Sequence, residues 1–228
     1  MSSNKFSQSL TQYYHTERFL ILLIFLLLLL VLSPFLKDLR WFELIRSILT
    51  SWIFIEIYHT ISWGKKQLTT GLILVVLAIA AVWVNNFLGT VDKIIALTST
   101  IIVIYLFFSI VVLARFIYSA ERVGREVIYV AVIIYLLISI VWCYFYVTLE
   151  SFVPGSFDLP LDTGPTDKFI WLMYFSFVTI TTLGYGDITP LNAKASALAS
   201  MEALIGQIYL VVIVAWLVGM HVYERSKL

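Results

Sequence analysis

Long apolar runs recur along the chain, and short polar stretches separate them. Six runs come near or exceed the roughly 20 residues that a helix needs to cross a bilayer: 19–36, 41–63, 67–91, 94–114, 127–149 and 195–222. The second is the weakest, because Glu43, Arg46, Glu56 and His59 interrupt it. Glu43 and Arg46 fall three apart and are expected to pair on one helix face. Glu56 lies inside the run, where a carboxyl either senses a signal or holds helices in register. A seventh apolar stretch, 168–181, is of helix length but too short to span, and such segments are re-entrant more often than transmembrane. Thr166 or Asp167 is expected to cap its start.

That short stretch sits in a connector unlike the others. Residues 150–194 separate runs five and six, and the first part, SFVPGSFDLPLDTGPTD, is rich in Pro, Gly and Asp and reads as an outer loop. A chain that enters the membrane at 168 must return to the same side before run six begins. The return path is TTLGYGD, 181–187. Irregular backbone at membrane depth is tolerated only inside protein or beside a water-filled cavity. Gly184 and Gly186, two apart, permit torsions that let successive carbonyls face one side.

Composition and charge sharpen the class. The chain is 61% hydrophobic and 13% charged, against about 25% charged in a soluble domain, so the fold is read as an all-α membrane protein. The net charge of +1 leaves no nucleic-acid footprint, and the single Cys143 permits no internal disulfide. Lys5, Arg18, Lys65, Lys66, Arg115, Arg122, Arg125, Arg225 and Lys227 fall on one side of a six-span layout. Only Lys37, Arg40, Lys93 and Lys168 fall on the other. The richer side is cytoplasmic, which places both termini inside a cell membrane. The expected organisation is a cytoplasmic N-terminus at 1–18, four peripheral helices at 19–118 and a last unit at 119–228 that holds run five, the connector and run six. Only six residues follow Val222, so no ligand-binding domain is expected after it. Neither a nucleophile–base pair nor a His/Cys cluster appears, and an enzyme is not expected.

TTLGYGD behind a short apolar helix resembles the selectivity filter of the potassium channel family, whose filter reads TVGYG. The close resemblance covers residues 167–189, and a looser one extends over 131–222. It implies six transmembrane helices plus a re-entrant pore helix and filter. It also implies K+ ions coordinated by the carbonyls of Thr182, Leu183, Gly184 and Tyr185, with the Thr182 hydroxyl closing the inner site. Gly186 and Asp187 would support the filter, and Asp187 would stand at its outer mouth. Leu183 replaces Val, which is expected to alter filter stability more than selectivity. Val178 stands where some members carry a Glu that pairs with the Asp. Gly206 matches a glycine used as a hinge in opening, with close helix packing as the alternative. One pore loop cannot close a ring, so a homotetramer in lipid is expected. The layout is that of voltage-gated channels, but run four carries no charge between Lys93 and Arg115, and steep voltage dependence needs several. The alternatives are a less selective monovalent cation channel and a non-conducting modulatory channel subunit.

Overall fold

The computed structural model describes residues 2–36, 41–61, 65–88, 91–120, 122–160 and 164–225. They form seven helices: α1 Ser2–Leu36, α2 Phe42–Ile61, α3 Lys65–Leu88, α4 Asp92–Tyr118, α5 Arg125–Phe152, α6 Pro165–Ile180 and α7 Ala193–Arg225. Lys37, Arg40 and Lys227, which enter the charge asymmetry, lie outside the described residues. Helix α1 starts well before residue 19, where its apolar run begins. No Gly or Pro precedes Pro34 in it, so nothing breaks the helix on the polar side.

Five helices are long and apolar enough to cross a membrane, over Glu17–Leu36, Leu68–Leu88, Asp92–Tyr118, Arg125–Phe152 and Ala193–Met220. Helix α2 is not among them, since Glu43, Arg46 and Glu56 fall within its 20 residues. Helix α6 has 16 residues, about 24 Å at the α-helical rise, short of a bilayer core of about 30 Å. Gly164 is its N-cap and Pro165 occupies the first turn, with no side-chain cap. The expected cap from Thr166 or Asp167 is therefore not formed. Proline's fixed φ already suits the first helical position, and Asp167 lies within the first turn, where a negative charge favours the helix dipole.

Helix α5 is the spine. It packs against α1, α4, α6 and α7, and 72% of its most apolar window is buried. The larger core joins α1 to α5 through residues such as Leu22, Ile57, Ile102 and Leu137. Helix α2 is tied into it by Phe54, whose ring lies 4.9 Å from that of Tyr105 on α4. The Tyr105 hydroxyl donates to the Phe54 carbonyl at 2.5 Å. A second core of Trp142, Cys143, Tyr146, Leu172, Phe175 and Ile188 joins α5 and α6 to the loops on either side of α6.

The helix ends meet in alternation. The start of α2, the end of α3, the start of α4 and the end of α5 surround one cavity, with Arg46, Phe87, Asp92 and Val147 among its lining. At the opposite end Phe19 of α1 packs on Phe116 of α4 at 5.1 Å, and Tyr118 on Trp216 of α7 at 6.0 Å. Helices α2 to α5 thus alternate in direction.

Candidate functional site

Helix α6 stops at Ile180, and the chain folds back on the helix end. The Thr182 N–H donates to the Thr179 carbonyl at 3.0 Å. Those of Leu183 and Gly184 both reach the Val178 carbonyl, at 3.0 and 3.3 Å. Beyond this turn φ is positive at every second residue: 57° at Thr182, 58° at Gly184 and 75° at Gly186. An added Cβ would meet nothing within 4 Å at Gly184 or Gly186 in the single chain. Glycine stands there because of the torsion, not because of crowding. Thr182 is β-branched, and holding it in the left-handed region costs about 1–3 kcal/mol. Such strain clusters at functional positions.

Three contacts hold the inner end of this segment. The Tyr135 hydroxyl of α5 donates to the Ile180 carbonyl at 2.9 Å. Gly206 of α7 lies directly behind that carbonyl, since a Cβ there would sit 2.7 Å from the Ile180 oxygen. Gln207 Nε2 lies 3.4 Å from the Thr182 hydroxyl oxygen. At the outer end the Tyr174 hydroxyl of α6 donates to Asp187 Oδ2 at 2.6 Å, and the Ile188 N–H to Asp187 Oδ1 at 3.1 Å. The bond to Asp187 pushes the Tyr174 pKa up from 10.0 to about 12. Asp187 is thus tied to α6 by a tyrosine, while Val178 is buried and apolar. The chain then pairs with the loop between α5 and α6: Asp158 N–H donates to the Thr189 carbonyl at 2.9 Å and Leu191 N–H to the Ser156 carbonyl at 2.8 Å. Glu150 receives the N–H groups of Gly155 and Ser156 at 2.8 and 2.9 Å.

Behind the helix lies a group that the sequence pattern did not single out. Glu202 of α7 is fully buried. Its carboxyl accepts from the Tyr146 hydroxyl of α5 through Oε2 and from the Ser176 hydroxyl of α6 through Oε1, the latter at 2.5 Å. Ser176 Oγ is also 2.9 Å from Ser139 Oγ and 2.7 Å from the Ser139 carbonyl. The rings of Tyr146, Phe157 and Phe175 close over the site, with centroids 5.1–5.3 Å apart. One carboxyl therefore joins all three helices around the turn. The signal that could have found it is a lone carboxyl inside an otherwise apolar span.

Within one chain the segment is open. Residues 181–187 are all exposed, with Leu183 at 55% and Tyr185 at 66%. Only 6% of the apolar window of α7 is buried, and Leu204, Ile208, Val211 and Val218 are bare.

A family model described as an ion channel matches residues 128–222. A two pore potassium channel c of Oryza sativa subsp. japonica is 40% identical over 60 residues. The aligned part is 26% of this chain and 13% of that protein, so the chain matches only a small part of the relative's length. No solved structure matches.

Proposed function

We propose that this chain, whose 128–222 segment matches an ion-channel family, is a member of the potassium channel family and conducts K+ passively through a pore made by four copies of residues 181–187. The observation that carries this reading is the positive φ at Thr182, Gly184 and Gly186, behind a helix too short to span and ahead of one long enough to do so. Alternation of that kind suits a strand whose carbonyls replace the water around a cation. The carbonyls of Thr182, Leu183, Gly184 and Tyr185 and the Thr182 hydroxyl are the proposed ligands. Gly186 supplies the last turn of the strand, and Asp187 fixes its mouth through Tyr174. The C-terminus of α6 carries a partial negative charge of about −0.5, which favours a cation below the filter.

Four copies are proposed because one strand supplies one side of a ring. The bare filter and the bare α7 are the surfaces that such an assembly covers, and exposed apolar area of this extent marks an interface or a lipid contact. Six crossings are proposed because α2 runs alongside α3 and α4, although its charges keep it below the apolar threshold. The Glu43–Arg46 pair supports this: the two side chains meet at 2.5 Å, and the guanidinium carbon lies 4.9 Å from the Phe169 ring centroid. The four peripheral helices carry no charge ladder on α4, so weak voltage dependence follows. Gly206 has its close approach to Ile180 as its resting role, and α7 bending there on opening is proposed alongside it.

Purified protein in liposomes tests the reading. K+-driven, barium-blocked flux that Gly184→Asp abolishes supports it; no flux supports a modulatory subunit. A less selective cation channel is the second reading, favoured by Leu183 in the place of Val, and mixed-ion reversal potentials separate the two.

A further inference from the structure

The cavity between the peripheral helices and the pore module has a volume of about 340 Å³, within the roughly 300–1,000 Å³ of ligand pockets. It lies at the helix ends, where α2 and α4 begin and α3 and α5 finish, and reaches Lys168 in the first turn of α6. Its charged lining has both signs. Glu150 is occupied by two backbone N–H groups, and Glu43 and Arg46 hold each other. Lys168 and Asp92 also line it, and neither forms an ion pair within the described residues. Asn85 Oδ1 is buried there and accepts no hydrogen bond from the protein. A buried acceptor left without a donor costs about 1–3 kcal/mol, and such groups are seldom left so. The remaining walls are largely apolar, with Val147, Phe169 and Leu172 among them. Among the described residues no His, Cys, Asp or Glu trio could hold a metal ion.

These three groups define a ligand. Lys168 takes an anion, Asp92 takes a cation, and Asn85 Oδ1 takes an N–H donor. We propose that the cavity binds a zwitterion carrying a primary ammonium and a phosphate, the phosphoethanolamine group. A primary ammonium offers three N–H donors, enough for both Asp92 and Asn85, which line the same cavity. A trimethylated ammonium offers none and leaves Asn85 unmet. The group occurs as the headgroup of phosphatidylethanolamine and free in solution. A ligand seated there touches both the peripheral bundle and the start of the pore helix. The inference goes beyond ion conduction and does not require it, so binding and flux fail separately.

The test uses the full chain in detergent. Thermal stability and native mass spectrometry follow titration with phosphatidylethanolamine, with phosphatidylcholine of the same acyl chains, and with free phosphoethanolamine. The wild type is expected to retain and be stabilised by phosphatidylethanolamine, with phosphatidylcholine about tenfold weaker, which is about 1.4 kcal/mol. Lys168→Gln and Asp92→Asn are each expected to weaken binding by a similar factor, and Asn85→Leu to erase the preference between the two lipids. Stabilisation by free phosphoethanolamine at matched concentration identifies a soluble source; stabilisation by the lipid alone identifies the headgroup. Equal binding of the two lipids by the wild type overturns the proposal. So does phosphatidylethanolamine binding that is unchanged in Lys168→Gln and Asp92→Asn, or a preference that survives Asn85→Leu.

Discussion

Removing the Glu202 carboxyl should weaken the packing of α5, α6 and α7 more than any other single polar change among them. Two hydrogen bonds reach the carboxyl, from Tyr146 and Ser176. Between membrane helices such bonds average about 0.6 kcal/mol and reach about 1.7 kcal/mol, so two contribute about 1–3 kcal/mol per protomer. Glu202→Ala also strands the buried Tyr146 hydroxyl under the Phe157 and Phe175 rings, which adds to the loss, while Ser176 keeps the Ser139 carbonyl. Glu202→Gln behaves differently, because the protons can be rearranged. Ser176 has one hydroxyl proton but three acceptors in reach: Glu202, the Ser139 carbonyl and Ser139 Oγ. A glutamine amide donates to Ser176 Oγ, Ser176 turns its proton to the Ser139 carbonyl, and the glutamine oxygen accepts from Tyr146. Both links survive. In thermal denaturation of the purified protein, Glu202→Ala should lower the midpoint by several degrees and raise Na+ permeability relative to K+. Glu202→Gln should stay near wild type in both. Wild-type stability and selectivity in Glu202→Ala would refute the reasoning, as would a Glu202→Gln variant as damaged as the alanine.

Three further outcomes follow from the same geometry. Gly206→Ala places a Cβ 2.7 Å from the Ile180 carbonyl oxygen; overpacking of this kind costs about 1–3 kcal/mol, and the variant should lose thermal stability and flux together. Tyr174→Phe removes the tie to Asp187 and should shorten single-channel openings while leaving K+ selectivity unchanged. With the Tyr174 pKa raised from 10.0 to about 12, its neutral donor form is favoured in the fold. That contribution is complete below pH 10.0 and is lost as pH rises through about 12, so openings recorded from pH 6 to 9 should show no transition from this tyrosine. Leu183→Val alters a side chain and no carbonyl, and reversal potentials should not move.

Much of the site was legible because its features are local. Residues 181–187 read as one consecutive stretch whose two glycines fall where φ is positive. Helix α6 reads from its length, and the Glu43–Arg46 pair from its spacing. What escaped depends on distance along the chain. Tyr146 and Glu202 are 56 residues apart, and no periodicity links a carboxyl on one span to a hydroxyl on another. Gly206 was balanced between a hinge and a packing contact because only the position of Ile180 shows what its missing side chain admits. The start of α6 was misplaced because capping side chains compete with the proline signal, and Pro165 with Gly164 prevailed. Helix α2 remains the element least evident from apolarity, since its place comes from neighbours that its own composition does not announce.

The central claim is that backbone oxygens of residues 182–185 select K+. Reversal potentials of the reconstituted protein under opposed K+ and Na+ gradients test it most directly. The account predicts a reversal potential that follows the K+ gradient, moving by about 59 mV for each tenfold change, and that is indifferent to the Na+ gradient. A potential that stays near zero, or that follows Na+, would contradict it.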